Sequence, residues 1–165
     1  MPGIRRWSIT YTCIWVGLLA VCFLPDLLLV AEGVQHAKDC KPTPRDAMGP
    51  FYEPNAPLRT KVGEGYILRG VVRSTAQCRA LPGALIEFWL TGPDGRYGDA
   101  YRARLRADES GQYQFESNKP SRYGGRPPHI HIRVTAAGHR TLVTQHYPAR
   151  GQNTQTFDLV LRPAR

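Results

Sequence analysis

Short apolar runs, separated by Gly, Pro, Asp and Asn, dominate the chain from about residue 61 onward. In the run "ALIEFWL" the apolar positions Ala84, Ile86 and Phe88 alternate with a second set that contains Glu87, which is the period of a half-buried strand. No window of this region sustains a helical period. Seven such runs predict an all-β fold, an antiparallel β-sandwich of about seven to eight strands: 66–73, 84–90, 101–107, 111–117, 129–136, 141–147 and 156–162.

The segment before these runs has a different character. Residues 34–60 contain five prolines and no period, so they predict a Pro-rich arm that is ordered by its contacts and is not a helix. The sequence therefore divides into residues 1–33, the arm 34–60 and the sandwich domain 61–165.

The N-terminal segment has the pattern of an export signal. Arg5 and Arg6 precede a mostly apolar run over residues 7–31. This run is long enough to span a bilayer, although Asp26 would be costly there. Residues 1–33 are thus an export signal or a signal anchor. We expect an exported protein, periplasmic or secreted, which an uncleaved segment would tether to a membrane.

Cysteine usage fits export. Cys13 and Cys22 lie in the signal segment, which leaves Cys40 and Cys78 for the rest of the chain. An even count in an exported domain predicts one disulfide, which would contribute about 3–4 kcal/mol by closing its loop. Two free buried thiols are the alternative.

The net charge of +9 belongs to the chain after the signal segment, because residues 1–33 contain two arginines and two acidic residues. A basic surface favours anionic partners, such as acidic aromatic substrates or polyanionic polymers. The arginines are scattered and no basic helix is present, so we do not expect a nucleic-acid partner.

The stretch "RPPHIHIRV" (126–134) carries the first candidate chemistry. Residues i and i+2 of a strand share a face, so Ile130 and Ile132 are expected to face the core while His129 and His131 emerge together on the other side. A metal-binding edge and an ordinary polar strand face both fit this pattern.

Two tyrosines extend the candidate site. Tyr123 lies six residues before His129 in a Gly/Pro loop that could return it to the histidines, and Tyr97 follows a "PDG" turn, with Tyr101 as a competitor. A hard trivalent cation deprotonates coordinating groups, whereas zinc prefers Cys, His or carboxylate. Two histidines with two tyrosines are therefore a ligand set for ferric iron.

Together these motifs resemble the intradiol ring-cleavage dioxygenases, the family of protocatechuate 3,4-dioxygenase and catechol 1,2-dioxygenase. The matching segments follow the family's order over nearly the whole chain after the signal: "GPFY" (49–52), "LRGVV" (68–72), "LPGALIEFW" (81–89), "DGRYGDAYRARLRADESGQYQFES" (94–117), "P-x-x-Y-x-x-RPPHIHIRV" (120–134) and "LVTQHY" (142–147).

The resemblance implies one non-haem Fe(III) per chain and a role for each matching residue. Its metal ligands would be Tyr97, Tyr123, His129 and His131, of which Tyr123 is the one that substrate displaces. Arg126 would stabilise negative charge on the substrate ring, and Gln145 would lie near the ring. On the arm, Tyr52 is the residue expected to contact substrate.

The implied reaction cleaves a catechol between its two hydroxyl-bearing carbons with O2 and gives a cis,cis-muconate-type diacid. The chain lacks the helical dimerisation region of catechol 1,2-dioxygenases, and only two glycines separate Tyr123 from Arg126. These departures suggest an open site that tolerates substituted catechols, and they leave the preferred catechol and the oligomeric state undetermined.

Two non-enzymatic functions remain alternatives. One is an exported β-sandwich that binds a catecholic or anionic ligand or a protein partner without catalysis. The other is a binder of catechol siderophores, in which iron arrives with the ligand. The enzyme is favoured because a scaffold without catalysis has little reason to keep six residues together: Tyr97, Tyr123, Arg126, His129, His131 and Gln145.

Overall fold

The structure, a computed structural model, describes residues 40–165. These residues form eight strands, β1 Tyr66–Ser74, β2 Leu85–Leu90, β3 Arg102–Arg106, β4 Gln112–Ser117, β5 Ile130–Thr135, β6 Leu142–His146, β7 Thr154–Thr156 and β8 Leu159–Leu161, together with short 3₁₀ helices at Ala76–Cys78 and Asp99–Tyr101. Within this part of the chain no helix is long and apolar enough to cross a membrane. The predicted signal or anchor, residues 1–33, lies outside the described residues.

The strands form two sheets, so the predicted β-sandwich is confirmed. The first sheet has the order β3-β2-β5-β6 and is antiparallel throughout. In the second sheet β1 pairs with β4 antiparallel but with β7 and β8 in parallel. This departs from a purely antiparallel sandwich, because no hairpin joins β1 to β7 and no tight turn imposes antiparallel pairing.

The last predicted strand, 156–162, is divided into β7 and β8, and both lie along β1. At the break the carbonyl of Phe157 approaches Gly70 so closely that a Cβ there would lie 2.3 Å from its oxygen. Asp158 then uses its Oδ1 to accept the hydrogen bond of the Val71 amide at 2.9 Å. A side chain thus replaces the backbone partner and interrupts the strand.

The two sheets pack face to face over an apolar core. Phe88 of the first sheet stacks on Phe115 of the second, with ring centroids 4.2 Å apart. Ile130, Ile132 and Val134 are buried in the same core. One face of β5 therefore packs on the core, as the alternation of its residues predicted. Its histidines therefore lie on the outer face of the first sheet.

Residues 40–60, which we term the strap, cross that outer face. The strap contains no helix. Its backbone is hydrogen-bonded to both edge strands of the sheet. The Asp46 amide donates to Val143 O of β6 at 3.0 Å, and the Arg59 amide donates to Arg104 O of β3 at 3.1 Å. As a result Glu87 and Trp89 are only 5% and 2% exposed, and β2, which alternation predicted as half-buried, is buried on both faces.

The start of the strap is covalently attached to the 3₁₀ helix that follows β1. Cys40 and Cys78 form a disulfide with their Cα atoms 4.8 Å apart, which confirms the predicted pairing. The Cys40 amide also bonds to the Thr75 carbonyl at 3.2 Å. The strap therefore begins from a fixed point.

A polar contact also links the two sheets inside the core. His146 Nε2 lies 2.6 Å from the hydroxyl of Tyr66, which donates to Gln155 Oε1 at 2.8 Å. Burial lowers the pKa of His146 to about 4, and the Gln155 hydrogen bond opposes this only in part. His146 is therefore neutral in the folded protein at pH 7.

This burial predicts a pH-dependent stability. Between its unfolded pKa of about 6.5 and its folded pKa of about 4, His146 binds a proton only when the chain unfolds, so its contribution is present above pH 6.5 and is lost as the pH falls toward 4. We expect urea unfolding of the metal-free proteins to show this loss. The free energy of unfolding of wild type, relative to that of His146→Gln, should fall by about 2 kcal/mol from pH 7 to pH 5. A pH-independent difference would contradict a neutral, buried His146.

Candidate metal centre

The register of the first sheet aligns one polar row on its outer face. Trp89 of β2 pairs with Arg102 of β3 and with His131 of β5, and His131 pairs with Gln145 of β6. Since directly opposed residues point to the same face, these four side chains form a row under the strap. The candidate site is built on this row.

The surroundings of the two histidines orient His129 and keep the ring of His131 neutral. His129 Nδ1 lies 2.7 Å from the Pro127 carbonyl, and a proton on Nδ1 that bonds this oxygen leaves Nε2 unprotonated. His131 stacks on Trp89 at 4.9 Å with nearly parallel planes. Burial, followed by the neighbouring His129, lowers the pKa of His131 to about 4, so its ring is neutral at pH 7.

Tyr97 reaches the histidines from the loop between β2 and β3. Its ring stacks on Phe51 of the strap with centroids 4.3 Å apart. Tyr101, the competing candidate, packs on Gly92 instead, where a Cβ would lie 2.1 Å from its ring. The structure thus brings Tyr97, and not Tyr101, to the two histidines.

Three donor atoms form a nearly equilateral triangle. Tyr97 Oη lies 3.3 Å from His129 Nε2 and 3.1 Å from His131 Nε2, and the two nitrogens are 3.1 Å apart. Nitrogen and oxygen ligands lie about 2.0–2.1 Å from a transition metal, which separates neighbouring ligands by roughly 3 Å. Hydrogen bonds explain the triangle less well, because the tyrosine hydroxyl and one imidazole N–H supply two protons for three contacts.

The donor atoms of the triangle lie in buried surroundings. His131 Nδ1 is buried without a hydrogen bond of good geometry, although the nearby Ala47 backbone opposes the lowering of its pKa. Burial raises the pKa of Tyr97, and the Arg126 charge opposes this. Among residues 40–165 no group of three His, Cys, Asp or Glu side chains is placed to hold a metal, so a metal at this site would need tyrosine as its third donor.

Tyr123, the fourth predicted ligand, lies at the entrance. Gly124 and Gly125 both have positive φ, of 55° and 77°, and this turn brings the Arg126 amide to the Tyr123 carbonyl at 2.9 Å. The Tyr123 ring meets Tyr97 edge-on at 5.4 Å. Tyr123 is 40% exposed, and its hydroxyl has no hydrogen bond to any described residue.

Arg126 and Gln145 meet beside the triangle. The Arg126 guanidinium donates from Nη2 to Gln145 Oε1 at 2.9 Å and to the hydroxyl of Tyr147 at 2.9 Å. That hydroxyl in turn lies 2.9 Å from Asp46 of the strap. The structure therefore brings together two of the three predicted substrate contacts, Arg126 and Gln145.

Tyr52, the predicted substrate contact on the arm, has different neighbours. Its hydroxyl donates to Glu87 at 3.1 Å, and its ring tilts against Trp89 at 5.1 Å. Glu87 is also paired with Arg133. Phe51, the preceding residue of the extended strap, is the one that contacts Tyr97, so the strap presents Phe51 and not Tyr52 to the tyrosine of the site.

The sequence alone did not single out Phe51, Trp89, Asp46 or Tyr147 as site residues. Tyr147 ends "LVTQHY" two residues after Gln145, so strand alternation could have placed it beside Gln145. The positions of the strap residues depend on the path of the strap, which carries no period.

The site is buried at its histidines, which are 3% and 2% exposed, and accessible at Tyr123, which is 40% exposed. A cavity of about 560 Å³ lies elsewhere, where Arg69, Leu105 and Gln112 are among its lining residues. It contains no metal-type donor cluster, so we assign the site by its chemistry and not by volume. At the triangle, Phe51 covers one side and the exposed Tyr123 leaves another accessible.

Comparisons with known proteins agree with this geometry. A family model described as Dioxygenase matches residues 49–162. A chlorocatechol 1,2-dioxygenase of Rhodococcus opacus is 32% identical over 138 residues, covering 60% of this chain and 53% of that protein. An intradiol ring-cleavage dioxygenase of Aspergillus niger is 24% identical over 157 residues, covering 73% and 50%. The chain thus spans about half the length of these curated relatives.

Solved structures give the same fold. The dioxygenase domain of a dioxygenase and carbohydrate-binding protein fusion from Streptomyces sp. SirexAA-E superposes with a TM-score of 0.67 at 29% identity, covering 75% of this chain and all of that one. A catechol 1,2-dioxygenase from Pseudomonas arvilla C-1 has a TM-score of 0.66 at 24% identity, covering 74% and 63%. The second likeness concerns the fold alone.

The close approach of the strap to His131 predicts a specific effect of Gly49→Ala. Gly49 has φ +71°, and a Cβ there would lie 2.9 Å from His131 Cε1. Gly83→Ala is the matched control, since Gly83 has φ +68° and no atom within 4 Å. Both variants should lose about 1–2 kcal/mol of stability from the left-handed backbone, but only Gly49→Ala should weaken iron binding, by about tenfold, in chelator competition. Equal iron affinities would contradict this placement of the strap.

Proposed function

The chain belongs to the Dioxygenase family, and we propose that it is a non-haem Fe(III) enzyme that cleaves catechol-type rings between the two hydroxyl-bearing carbons. Both atoms of O2 enter the product, a cis,cis-muconate-type diacid. The observation that carries this proposal is the triangle of Tyr97 Oη, His129 Nε2 and His131 Nε2, with sides of 3.1–3.3 Å.

Four residues would hold the iron: Tyr97, Tyr123, His129 and His131. Ferric iron held there would supply a Lewis acid and a template that make the catechol ring reactive toward O2. Two neutral imidazoles and two tyrosinates balance two of its three charges. Tyr123 would take one of the two catechol protons as it leaves, and the second proton would pass to solvent, so that a catecholate dianion could bind.

Tyr123 is suited to leave because its hydroxyl is not held by a hydrogen bond within the described residues. It is 40% exposed, its hydroxyl has no partner among the described residues, and two glycines form the turn behind it. We assign its Oη as the base that accepts a catechol proton. Tyr97, which is stacked on Phe51, stays in place as the permanent tyrosinate.

Arg126 supplies a fixed positive charge beside the reacting ring. It is close enough to lower the pKa of Tyr97 against the effect of burial, so its field reaches the donor atoms. A preorganised cation stabilises charge that develops on the ring without reorganising during the reaction. Gln145, bonded to Arg126 at 2.9 Å, lines the same side.

An aromatic substrate matches the surface around the site. Among the described residues the exposed large hydrophobic side chains are Met48, Leu58, Tyr123 and Tyr147. Met48 adjoins the strap glycine that touches His131, and the ring of Tyr147 lies 5.9 Å from that of His129. We propose catechols, including substituted ones, since relatives are named chlorocatechol and catechol 1,2-dioxygenases and the two-glycine turn leaves the rim short.

The Cys40–Cys78 disulfide supports an exported location, because such bonds persist in oxidising compartments. We therefore propose a periplasmic or secreted enzyme, which an uncleaved N-terminus would hold at a membrane.

The visible spectrum of the iron-loaded protein tests the ligand set. We expect a tyrosinate-to-Fe(III) charge-transfer band that moves to longer wavelength when catechol is added without O2. Tyr97→Phe and Tyr123→Phe should each weaken or remove the band, whereas Tyr101→Phe, a nearby tyrosine that packs on Gly92, should keep it. A colourless protein that still binds one iron would exclude the tyrosinate site. A band that develops only when a catechol brings the iron would favour the siderophore binder.

A further inference from the structure

A hydrogen-bonded chain connects the strap to Arg126 through a residue that no step of the reaction uses. Arg126 Nη2 lies 2.9 Å from the hydroxyl of Tyr147, and that hydroxyl lies 2.9 Å from Asp46 Oδ2. We propose that Tyr147, oriented by Asp46, is a positioning residue that fixes the Arg126 guanidinium in the site. This inference rests on the proposed function, in which Arg126 acts on the substrate.

The protons of the network can be assigned from its donors and acceptors. The Tyr147 hydroxyl has one proton and two acceptors at 2.9 Å, Asp46 Oδ2 and Gln145 Oε1. The carboxylate is the stronger acceptor, so Tyr147 donates to Asp46 and its oxygen accepts from Arg126. Gln145 Oε1 accepts from the same Arg126 nitrogen. Each proton then has one acceptor.

Both acceptors of Arg126 are tied to adjacent residues of the strap. Gln145 donates from Nε2 to the Ala47 carbonyl at 2.6 Å, which fixes the orientation of its amide. Asp46, next to Ala47, is held by the hydrogen bond that its backbone amide donates to Val143 O at 3.0 Å. The strap therefore sets the direction of the guanidinium from two points.

Tyr147 is placed to position Arg126 and not to support the core. Its side chain is 41% exposed, so removing the hydroxyl opens no buried cavity. The half-buried Arg126 side chain would keep only the Gln145 bond in Tyr147→Phe. A long side chain with one anchor samples more rotamers, and fewer of these point its charge at the ring.

Steady-state kinetics of Tyr147→Phe test this role. Loss of a hydrogen bond to a charged group should lower kcat by about 10- to 100-fold, while KM changes less than about threefold and the visible band is retained. Asp46→Ala should act in the same direction, and the double variant should lose no more than the more severe single variant, because both act through Arg126. Glu64→Ala is the control for the loss of one negative charge. Glu64 is exposed and pairs with Lys61, and the kcat of this variant should match that of wild type.

A kcat within twofold of wild type in Tyr147→Phe, while Arg126→Ala is impaired, would overturn the inference. So would multiplicative losses in the double variant, or loss of the visible band, which would make Tyr147 part of the metal site.

A second readout separates this inference from the proposed function. In the metal-free, ¹⁵N-labelled protein the two Nη signals of Arg126, identified with Arg126→Lys, should be resolved because the hydrogen bonds hinder rotation. They should merge in Tyr147→Phe. Merged signals in wild type, or resolved ones in the variant, would refute positioning whether or not the protein cleaves catechol.

Discussion

The strap across the outer face of the first sheet is the constraint on which the rest of the structure depends. A sheet face that carries a row of Arg, Trp, His and Gln would ordinarily be solvated. The strap is fixed at one end by the Cys40–Cys78 disulfide and at the other by bonding to β3, and it converts this face into a buried polar layer. Burial keeps His131 neutral and therefore able to coordinate a metal at pH 7.

The electrostatics of the site follow from that burial. Without a metal the layer contains the neutral imidazole of His131, a Tyr97 whose pKa is raised by burial, and the Arg126 cation. No carboxylate is among the donors of the triangle, so deprotonation of tyrosine has to accompany metal binding. A strongly charged cation favours that step, whereas a weaker Lewis acid would leave Tyr97 protonated. Under the proposed function, the absence of fixed anions would therefore favour a strongly charged cation over a weaker Lewis acid.

Sequence reasoning reached some features of this site and not others, for physical reasons. The division of β5 into a core face and a histidine face depends only on strand geometry, and it was predictable from Ile130 and Ile132. The burial of Trp89 was not, because alternation describes a sheet and carries no information about a Pro-rich segment that covers it. The resemblance selected Tyr97 over Tyr101, but periodicity could not, because that choice and the break at Phe157 depend on close contacts with Gly92 and Gly70.

The most direct test of the account is product analysis after incubation of the iron-loaded protein with catechol and ¹⁸O2. The account predicts a cis,cis-muconate-type diacid that contains two ¹⁸O atoms by mass spectrometry, since cleavage between the hydroxyl-bearing carbons inserts both atoms of O2. A semialdehyde from cleavage beside the hydroxyls, or a quinone without label, would contradict it. If the iron-loaded protein leaves catechol unchanged, the result would favour a binding protein over an enzyme.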